Sequence, residues 1–338
     1  MCEAGRVRTW RAAMQEALYG PHGYYIRGGR GPGHDYRTSS TTSPAYAAAL
    51  LTLIGRVDEA LGHPARLDVV EVAAVDGRLL RELHSQASPD LTERMRLHGV
   101  DLAPRPPDLS TSISWSAGVP ETSGLLFANE WLDNIALDVV ELTDEGLRLV
   151  LVDDDGVESH GPPPPAQDLE WLERWWPVTE VGDRAEVGLP RDLAWAHAVA
   201  QLHTGVAVAV DYATLRADRV DGAYAGGTLV GYRDGRVTLP IPDGEGDLTA
   251  HVALDATAAA ADADTTTIRS QRDVLRELGV TGTRPPIAMA STDPAAFMVA
   301  LNACSADAEL ISPGGLGALL WLIQTKDCRL DVTSTGPD

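Results

Sequence analysis

An amide and two carboxylates follow an apolar run near the middle of the chain. The run is Leu125, Leu126 and Phe127, and the polar groups are Asn129, Glu130 and Asp133. Such a run predicts a buried strand of a mostly parallel sheet. Open α/β sheets bind ligands at the carboxyl ends of their strands, so we expect a functional site here. A carboxylate at that position can bind a guanidinium through two hydrogen bonds and localise its lone pair.

Acidic residues end other strand-like segments as well. Asp211 and Tyr212 close the apolar run GVAVAVDY, and DLTAH contains both Asp247 and His251. His251 is a candidate general base because an imidazole titrates near neutral pH, although a lone histidine is equally often a structural hydrogen-bonding group. Asp247 precedes it by four residues and could orient it if the segment turns. No HExxH motif or paired cysteines occur, so the sequence predicts no metal site.

The net charge of the chain limits the classes of ligand and partner that it can bind. The 338 residues carry a net charge of −22, and Lys326 is the only lysine. So acidic a surface repels phosphate backbones, which argues against general nucleic-acid binding and suits a cationic substrate. Acidity that serves only solubility is the alternative. No apolar run is long enough to span a membrane, and Cys2, Cys304 and Cys328 show no ligand spacing, so we expect a cytoplasmic protein.

The periodicity of the sequence predicts an α/β fold with a doubly wound, mostly parallel sheet. Strands are expected at Leu67–Val72, Leu97–Leu102, Gly124–Ala128 and Val206–Val210, with a less distinct one at Thr111–Trp115 and a late one at Leu316–Gln324. Hairpins are predicted over Val139–Val152 and around Asp234-Gly235, and an amphipathic helix over Arg269–Leu278. We predict three regions: N-terminal helices with the first half of the core at 1–138, an inserted hairpin and helical subdomain at 139–204, and the second half of the core at 205–338, with a substrate-covering insertion at about 213–255.

Six segments in order carry a resemblance to a known family. They are EALYGPHGYY (Glu16–Tyr25), DYRTSSTTSP (Asp35–Pro44), LDVVEVAAVDG (Leu67–Gly77), GLLFANEWLDN (Gly124–Asn134), GVAVAVDY (Gly205–Tyr212) and DLTAH (Asp247–His251). Through them the chain resembles the MidA family of class I S-adenosylmethionine (SAM)-dependent methyltransferases, which includes the mitochondrial complex I assembly-factor arginine methyltransferase. The resemblance runs from about Arg8 to Gly279. It implies a seven-stranded, Rossmann-like sheet, SAM as cofactor and methylation of a guanidinium nitrogen.

The resemblance also assigns roles to residues. The implied cofactor-binding residues are Glu71, Ala73, Gly77, Asp101, Thr38, Ser39 and Asn129. The implied catalytic residues are Glu130, Asn129, Asp133 and His251, and Glu130 is expected to orient the substrate and help to remove its proton. The implied substrate-binding residues are Glu130, Asp211, Tyr212 and Asp247. The partner is expected to be an arginine-containing protein or a small guanidine, and homodimer formation stays open.

One motif departs from the family pattern E-x-G-x-G-x-G, because Ala73 and Val75 replace its first two glycines. A β-branched residue resists positive φ, at a cost of about 1–3 kcal/mol if the turn requires that conformation. The two substitutions could weaken SAM binding. Alternatively, the chain could be a cofactor-deficient methyltransferase fold that serves in assembly or partner binding. A further alternative, which concerns the acceptor, is a SAM-dependent methyltransferase of a specialised metabolite. A dehydrogenase is less favoured, because the glycine turn of nicotinamide-binding folds is absent.

Overall fold

The computed structural model describes residues 6–26 and 37–330, and the chain divides into two compact units. The sheet unit comprises Arg37–Asn129, Gln201–Val210 and Ala263–Asp338. The pocket unit comprises Met1–Tyr36, Glu130–Ala200 and Asp211–Asp262. Cys2, Asp35 and Tyr36, which belong to the sequence predictions, lie outside the described residues.

The sheet unit is built on a seven-stranded sheet. In spatial order its strands are Thr265–Ser270, Leu320–Lys326, Leu202–Asp211, Thr122–Asn129, Leu67–Val72, Met95–Val100 and Ser114–Ser116. The last five pair in parallel, whereas the first two pair antiparallel. This arrangement confirms the predicted mostly parallel α/β sheet.

The order of the strands reverses at Leu67–Val72. Strand Met95–Val100, which follows it in the sequence, lies on one side of it. Strand Thr122–Asn129 lies on the other side. All six residues of Leu67–Val72 are buried, as expected for a central parallel strand. Ligands of doubly wound sheets bind at the carboxyl ends of the strands where this reversal occurs. In the sheet unit, that position is occupied by the turn after Val72.

Helices complete the sheet unit. They are Ser39–Thr42, Pro44–Ala60, Arg78–Gln86, Pro89–Arg94, Gln271–Glu277, Met289–Thr292 and Pro294–Leu310, with a 3₁₀ turn at Leu316–Ala318. Helix Pro44–Ala60 begins with a proline, and the hydroxyl of Ser43 accepts a hydrogen bond from the Ala45 amide, so its first turn is capped. Its Tyr46 packs with Phe127 and Trp321, with ring centroids 6.1–6.3 Å apart. These aromatic rings form part of the core of the unit.

Strand and helix boundaries in the sheet unit differ from the sequence predictions. The predicted strand Gly124–Ala128 extends over Thr122–Asn129, and the predicted strand Val206–Val210 extends over Leu202–Asp211. The second strand begins at Met95 instead of Leu97, and the short strand is Ser114–Ser116 instead of Thr111–Trp115. The predicted strand from Leu316 begins at Leu320, after the 3₁₀ turn. The predicted helix from Arg269 begins at Gln271, because the β-branched run Thr265–Ile268 forms an edge strand and the Ser270 hydroxyl then caps the helix.

The pocket unit contains three smaller sheets. The largest has the strands Arg8–Thr9, Val139–Thr143, Gly146–Val152, Glu158–His160 and Arg184–Glu186; the second has Val230–Arg233, Arg236–Thr238 and Asp247–Thr249; and Ala213–Thr214 pairs with Val252–Ala253. Its helices are Trp10–Tyr19, Ala166–Trp175, Leu189–Ala200, Arg216–Val220 and Leu254–Ala260, with a 3₁₀ turn at Leu132–Asn134. Both predicted hairpins are present as antiparallel pairs. Among the described residues, no helix combines the length and hydropathy needed to cross a bilayer.

Close backbone packing in the sheet unit generates a stability prediction. Gly205 has φ 127°, and a Cβ added there would lie 2.0 Å from the carbonyl oxygen of Gly124 on the neighbouring strand. Gly205→Ala should therefore lower the free energy of unfolding by more than about 2 kcal/mol, because the strands must separate. Urea unfolding followed by circular dichroism measures this change.

Gly55→Ala is the matched control. Gly55 lies in helix Pro44–Ala60, and an added Cβ meets nothing within 4 Å. This substitution should raise the free energy of unfolding by about 0.5–1 kcal/mol, because alanine is the better helix former. Equal effects of the two substitutions would contradict the proposed tight strand contact.

Candidate active site

The turn after Leu67–Val72 has the backbone shape of a glycine-rich turn. Ala73, Val75 and Gly77 have φ values of 57°, 52° and 70°, in the left-handed region that favours glycine. The amide of Ala74 donates to the Val100 carbonyl at 3.2 Å, and that of Gly77 donates to the Ala74 carbonyl at 2.7 Å. The turn thus keeps its conformation although two of the three positions carry a side chain. The Val75 side chain is exposed rather than packed into the core.

Asp101 fixes this turn to the neighbouring strand. Its Oδ2 accepts a hydrogen bond from the amide of Val75 at 2.8 Å, and its Oδ1 accepts one from Ala103 at 2.8 Å. Burial raises the pKa of Asp101, and these backbone donors oppose that rise. Asp101, one of the predicted cofactor-binding residues, therefore already holds the turn in place.

Glu71 is a buried carboxyl group one residue before the end of its strand. Its Oε2 is buried and has no hydrogen-bond partner among residues 6–26 and 37–330. Burial raises its pKa well above the ordinary value, and the charges of Asp76 and Asp101 raise it further. A buried, unsatisfied polar atom is costly unless it carries a proton or meets a ligand.

The other predicted cofactor residues also belong to the sheet unit. Thr38 and Thr41 form a capping box at helix Ser39–Thr42, which contacts helix Arg78–Gln86. Ser39 is fully buried, and its hydroxyl hydrogen-bonds to Gln271. The Asn129 side-chain oxygen accepts a hydrogen bond from the Tyr46 hydroxyl, which fixes the amide at the end of its strand.

The pocket unit contains an acidic cavity of about 530 Å³, including its open mouth. The residues that line it are Glu130, Asp133, Asn134, Tyr212, Thr228, Val230, Tyr232, Asp247, Thr249 and His251. Three are carboxylic acids, and none is lysine or arginine. The cavity therefore favours a cationic ligand. Of the predicted catalytic and substrate residues, Glu130, Asp133, Tyr212, Asp247 and His251 line this cavity, whereas Asn129 and Asp211 do not.

Asp133 and Asp211 lie side by side. Asp133 Oδ2 accepts a hydrogen bond from the Thr249 hydroxyl at 2.8 Å, and Asp211 Oδ2 accepts one from the Leu132 amide at 2.9 Å. The two carboxyl groups lie close enough to share a hydrogen bond if one of them is protonated, which would lower the pKa of Asp133. Burial is the main cause that raises the pKa of both groups, and the charge of Asp133 adds to the rise at Asp211.

Arg191 is a buried guanidinium that holds the segments of the pocket together. It donates to the main-chain carbonyls of Asp133 and Ile135, and to those of Ala250 and His251 at 2.8 and 2.9 Å. Burial lowers its pKa, whereas the nearby carboxyl groups of Asp133 and Asp211 raise it. The sequence pattern gave no signal for this residue, because it lies within an ordinary amphipathic helix.

The carboxylate of Asp247 is held by hydrogen bonds within the wall of the cavity. The Asn134 amide donates to both of its oxygens at 3.0 and 3.2 Å, and the Tyr25 hydroxyl donates to Oδ1 at 3.0 Å. It is almost fully buried. The idea that Asp247 orients His251 through a turn is wrong, because Asp247–Thr249 is an extended strand and the buried Nδ1 of His251 has no partner in the described part of the chain.

His251 lies between two tyrosines. Its ring stacks on Tyr212, with centroids 6.5 Å apart, and meets the edge of Tyr224 at 5.7 Å. Burial lowers its pKa, and the charge of Arg191 lowers it further. The imidazole is thus neutral at physiological pH and a weak proton acceptor.

Glu130 and Tyr212 are two further residues of the cavity lining. Glu130 has φ 50°, a conformation that costs energy for a residue with a side chain. Tyr212 is 37% exposed, and burial followed by the charge of Glu130 raises its pKa. Strained backbone at such a position is typical of functional sites. Pocket residues that the sequence analysis did not identify are Asn134, Thr228, Val230, Tyr232 and Thr249. Val230 and Tyr232 lie on a hairpin without a motif. Within residues 6–26 and 37–330, no cluster of His, Cys, Asp and Glu could hold a metal ion.

Comparison with known proteins gives consistent matches. A family model described as "Putative S-adenosyl-L-methionine-dependent methyltransferase" matches residues 54–271, more than half of the chain. A COG1565 superfamily protein of Burkholderia thailandensis, solved with bound S-adenosylhomocysteine, is 25% identical, with a TM-score of 0.82 over 98% of this chain and 91% of that one. A native structure of a COG1565 superfamily protein from the same organism is 24% identical, with a TM-score of 0.78 over 98% and 91%. A search of curated proteins found no match.

The buried Glu71 generates a pH-dependent stability prediction. Because its pKa is raised in the folded state, the folded protein binds more protons than the unfolded chain above the ordinary pKa of glutamate. Its contribution to stability is present at acid pH and is lost as the pH rises towards the folded-state pKa.

The Glu71→Gln substitution should remove this loss of stability at higher pH. The free energy of unfolding of the variant minus that of the native protein should grow from about pH 4 towards neutrality, since glutamine needs no charge in the buried site. Urea unfolding at several pH values measures the difference, and the subtraction cancels the other titrating groups. A difference that stays constant with pH would show that Glu71 is not held as an acid.

Proposed function

The chain belongs to the family of S-adenosyl-L-methionine-dependent methyltransferases that its sequence matches, and from this premise we propose that it methylates a guanidinium nitrogen. The acceptor is the arginine of a protein or a small guanidine. The acidic cavity of the pocket unit is the observation that carries this proposal, because its lining has three carboxyl groups and no basic side chain except the neutral His251.

The sheet unit supports the cofactor assignment. When bound, SAM supplies an electrophilic methyl group on a sulfonium. The turn from Ala73 to Gly77 keeps the left-handed backbone that lets a ligand approach closely, and Oε2 of Glu71 is a buried acceptor without a partner in the described chain. Asp101 and Asn129 lie at the ends of the two strands that flank Leu67–Val72. The relative from Burkholderia thailandensis carries S-adenosylhomocysteine.

The pocket unit supports a planar cation as acceptor. A guanidinium forms paired hydrogen bonds with a carboxylate and also stacks on aromatic rings. Glu130 offers the carboxylate, and Tyr212 and Tyr232 offer rings that line the same cavity. We assign Glu130 to orient the acceptor and localise its lone pair. Asn129 holds substrate or cofactor through its amide.

A second function has one observation in its favour. Ala73 and Val75 both carry side chains in a strained left-handed conformation, which would be tolerated if the turn no longer had to bind SAM tightly. The protein would then act in assembly or partner binding. A third function, methylation of a specialised metabolite, uses the same cavity with a different nucleophile.

The glycine positions provide the first test. In the Ala73→Gly/Val75→Gly variant, S-adenosylhomocysteine should bind at most about tenfold to a hundredfold more tightly than to the native protein, since about 1–3 kcal/mol of strain is released. Isothermal titration calorimetry measures both affinities. Binding by the variant together with no binding by the native chain at millimolar ligand would favour the cofactor-deficient function instead.

The acceptor provides the second test. The native protein should transfer a labelled methyl group from SAM to arginine peptides or free arginine, and Glu130→Gln should lower kcat/KM by about 100-fold, because the charge that binds the guanidinium is lost. Binding of S-adenosylhomocysteine should stay unchanged. Glu170→Gln, an exposed glutamate of the same unit, is the matched control and should keep full activity. Methylation confined to acceptors that lack a guanidine would refute this substrate class.

A further inference from the structure

Asp133 and Asp211 cannot both be ordinary carboxylates. Each has one oxygen that accepts a hydrogen bond, from the Thr249 hydroxyl and the Leu132 amide respectively. The other oxygen of each, Oδ1, is buried and finds no donor among residues 6–26 and 37–330. The two side chains lie close enough to share a hydrogen bond, and a carboxylate has no hydrogen to donate, so one of the two must carry a proton.

The surroundings of the two groups differ. Asp133 in its charged form is stabilised by the Thr249 hydroxyl, by the amide of Asn134 and by the guanidinium of Arg191. Among the described residues, Asp211 accepts a hydrogen bond only from the Leu132 amide and is fully buried. Besides burial, the nearby charges of Asp133 and Glu130 raise its pKa more than the charge of Arg191 lowers it. The proton therefore resides on Asp211, and Asp133 is the carboxylate. Of the two, Asp133 lines the cavity.

We propose that Asp211 carries a shared proton that orients the Asp133 carboxylate, and that Asp133 accepts the proton which the acceptor nitrogen loses on methylation. This inference rests on the proposed function, because it requires an acceptor nitrogen in the cavity. Asp133 is then a catalytic residue, and Asp211 is a positioning residue that acts through it.

The proton balance follows from the chemistry of a guanidinium. The nitrogen that gains a methyl group already carries hydrogen, so an N–H bond must break and its electron pair stays on nitrogen. The proton passes to the carboxylate of Asp133 and gives a neutral carboxylic acid. The methylated guanidinium keeps its single positive charge, and Asp133 later returns the proton to solvent.

The other groups near the cavity serve less well as proton acceptors. His251 stacks on Tyr212 and meets the edge of Tyr224, and its Nδ1 is buried. Both oxygens of Asp247 accept hydrogen bonds from Asn134. Glu130 is assigned to the guanidinium itself, and a carboxylate that pairs with the cation through both oxygens has little remaining capacity to take its proton.

Infrared spectroscopy tests the shared proton without any cofactor or turnover. At neutral pH, the native-minus-Asp211→Asn difference spectrum should show a protonated carboxyl C=O band. Asp168→Asn is the matched control, because Asp168 is also a buried aspartate of the pocket unit but does not line this cavity; its difference spectrum should lack the band assigned to Asp211. The absence of a carboxyl band in the Asp211→Asn difference would overturn the proposal.

Kinetics with an arginine peptide and SAM tests the roles. Asp133→Asn should lower kcat by about 100-fold or more, with KM for the peptide within about threefold, as expected for the loss of a general base. Asp211→Asn should retain at least about a third of kcat, because the amide donates to Asp133 as the protonated acid does, whereas Asp211→Ala should lose about tenfold or more. Thermal unfolding confirms that each variant is folded.

The outcomes separate this inference from the proposed function. A native-like kcat for Asp133→Asn, or equal losses for Asp211→Asn and Asp211→Ala, would refute the assigned roles. If the native protein methylates no guanidine but methylates another nitrogen acceptor, the guanidinium proposal fails, and the same variants assayed on that acceptor decide the role of the pair. If it methylates nothing, the infrared band still decides whether the proton is shared.

Discussion

The guanidinium of Arg191 is the interaction on which the acidic pocket depends. It binds main-chain carbonyls of two segments, Asp133 to Ile135 and Ala250 to His251, which lie more than a hundred residues apart in sequence. A buried arginine needs several acceptors, and irregular segments need donors for their carbonyls, so each satisfies the other. Using carbonyls as its partners also leaves the carboxyl groups of Asp133 and Asp211 available for chemistry. The charge stays close enough to favour a carboxylate at Asp133.

In the sheet unit the corresponding constraint is the conformation of the turn after Val72. Three alternate residues take positive φ there, so the shape of the turn is set by the hydrogen bonds of Val100 and Asp101 and not by glycine content alone. Val75 is held in that conformation by the bond from its amide to Asp101. The sheet thus compensates locally for a residue that resists the turn, and the loss of the glycines changes the energy of the turn more than its geometry.

Much of the fold follows from local sequence patterns. The apolar runs at Leu67 and Leu125 predicted central strands because both faces are buried, and the hairpin of Val139–Val152 followed from alternation around a polar turn. The edge strand Thr265–Ser270 was missed, since an exposed strand rich in threonine lacks an apolar signal. Arg191 and Tyr232 were missed for another reason: the role of each comes from residues distant in sequence. The exact start of a strand depends on its partners, which explains the shift from Leu97 to Met95.

Placing several carboxyl groups in one pocket is costly for folding. Asp133, Asp211 and Asp247 are almost completely buried, and the carboxyl groups of Asp133, Asp211 and Glu186 lie near the guanidinium of Arg191. A core built for stability alone would replace such groups by apolar side chains at little loss or some gain. Asp247 is satisfied by donors from Asn134 and Tyr25, so its burial has a structural reason. For Asp133 and Asp211 the donors are too few, and the remaining need for a proton or a cation is the property that a site for a positively charged acceptor requires.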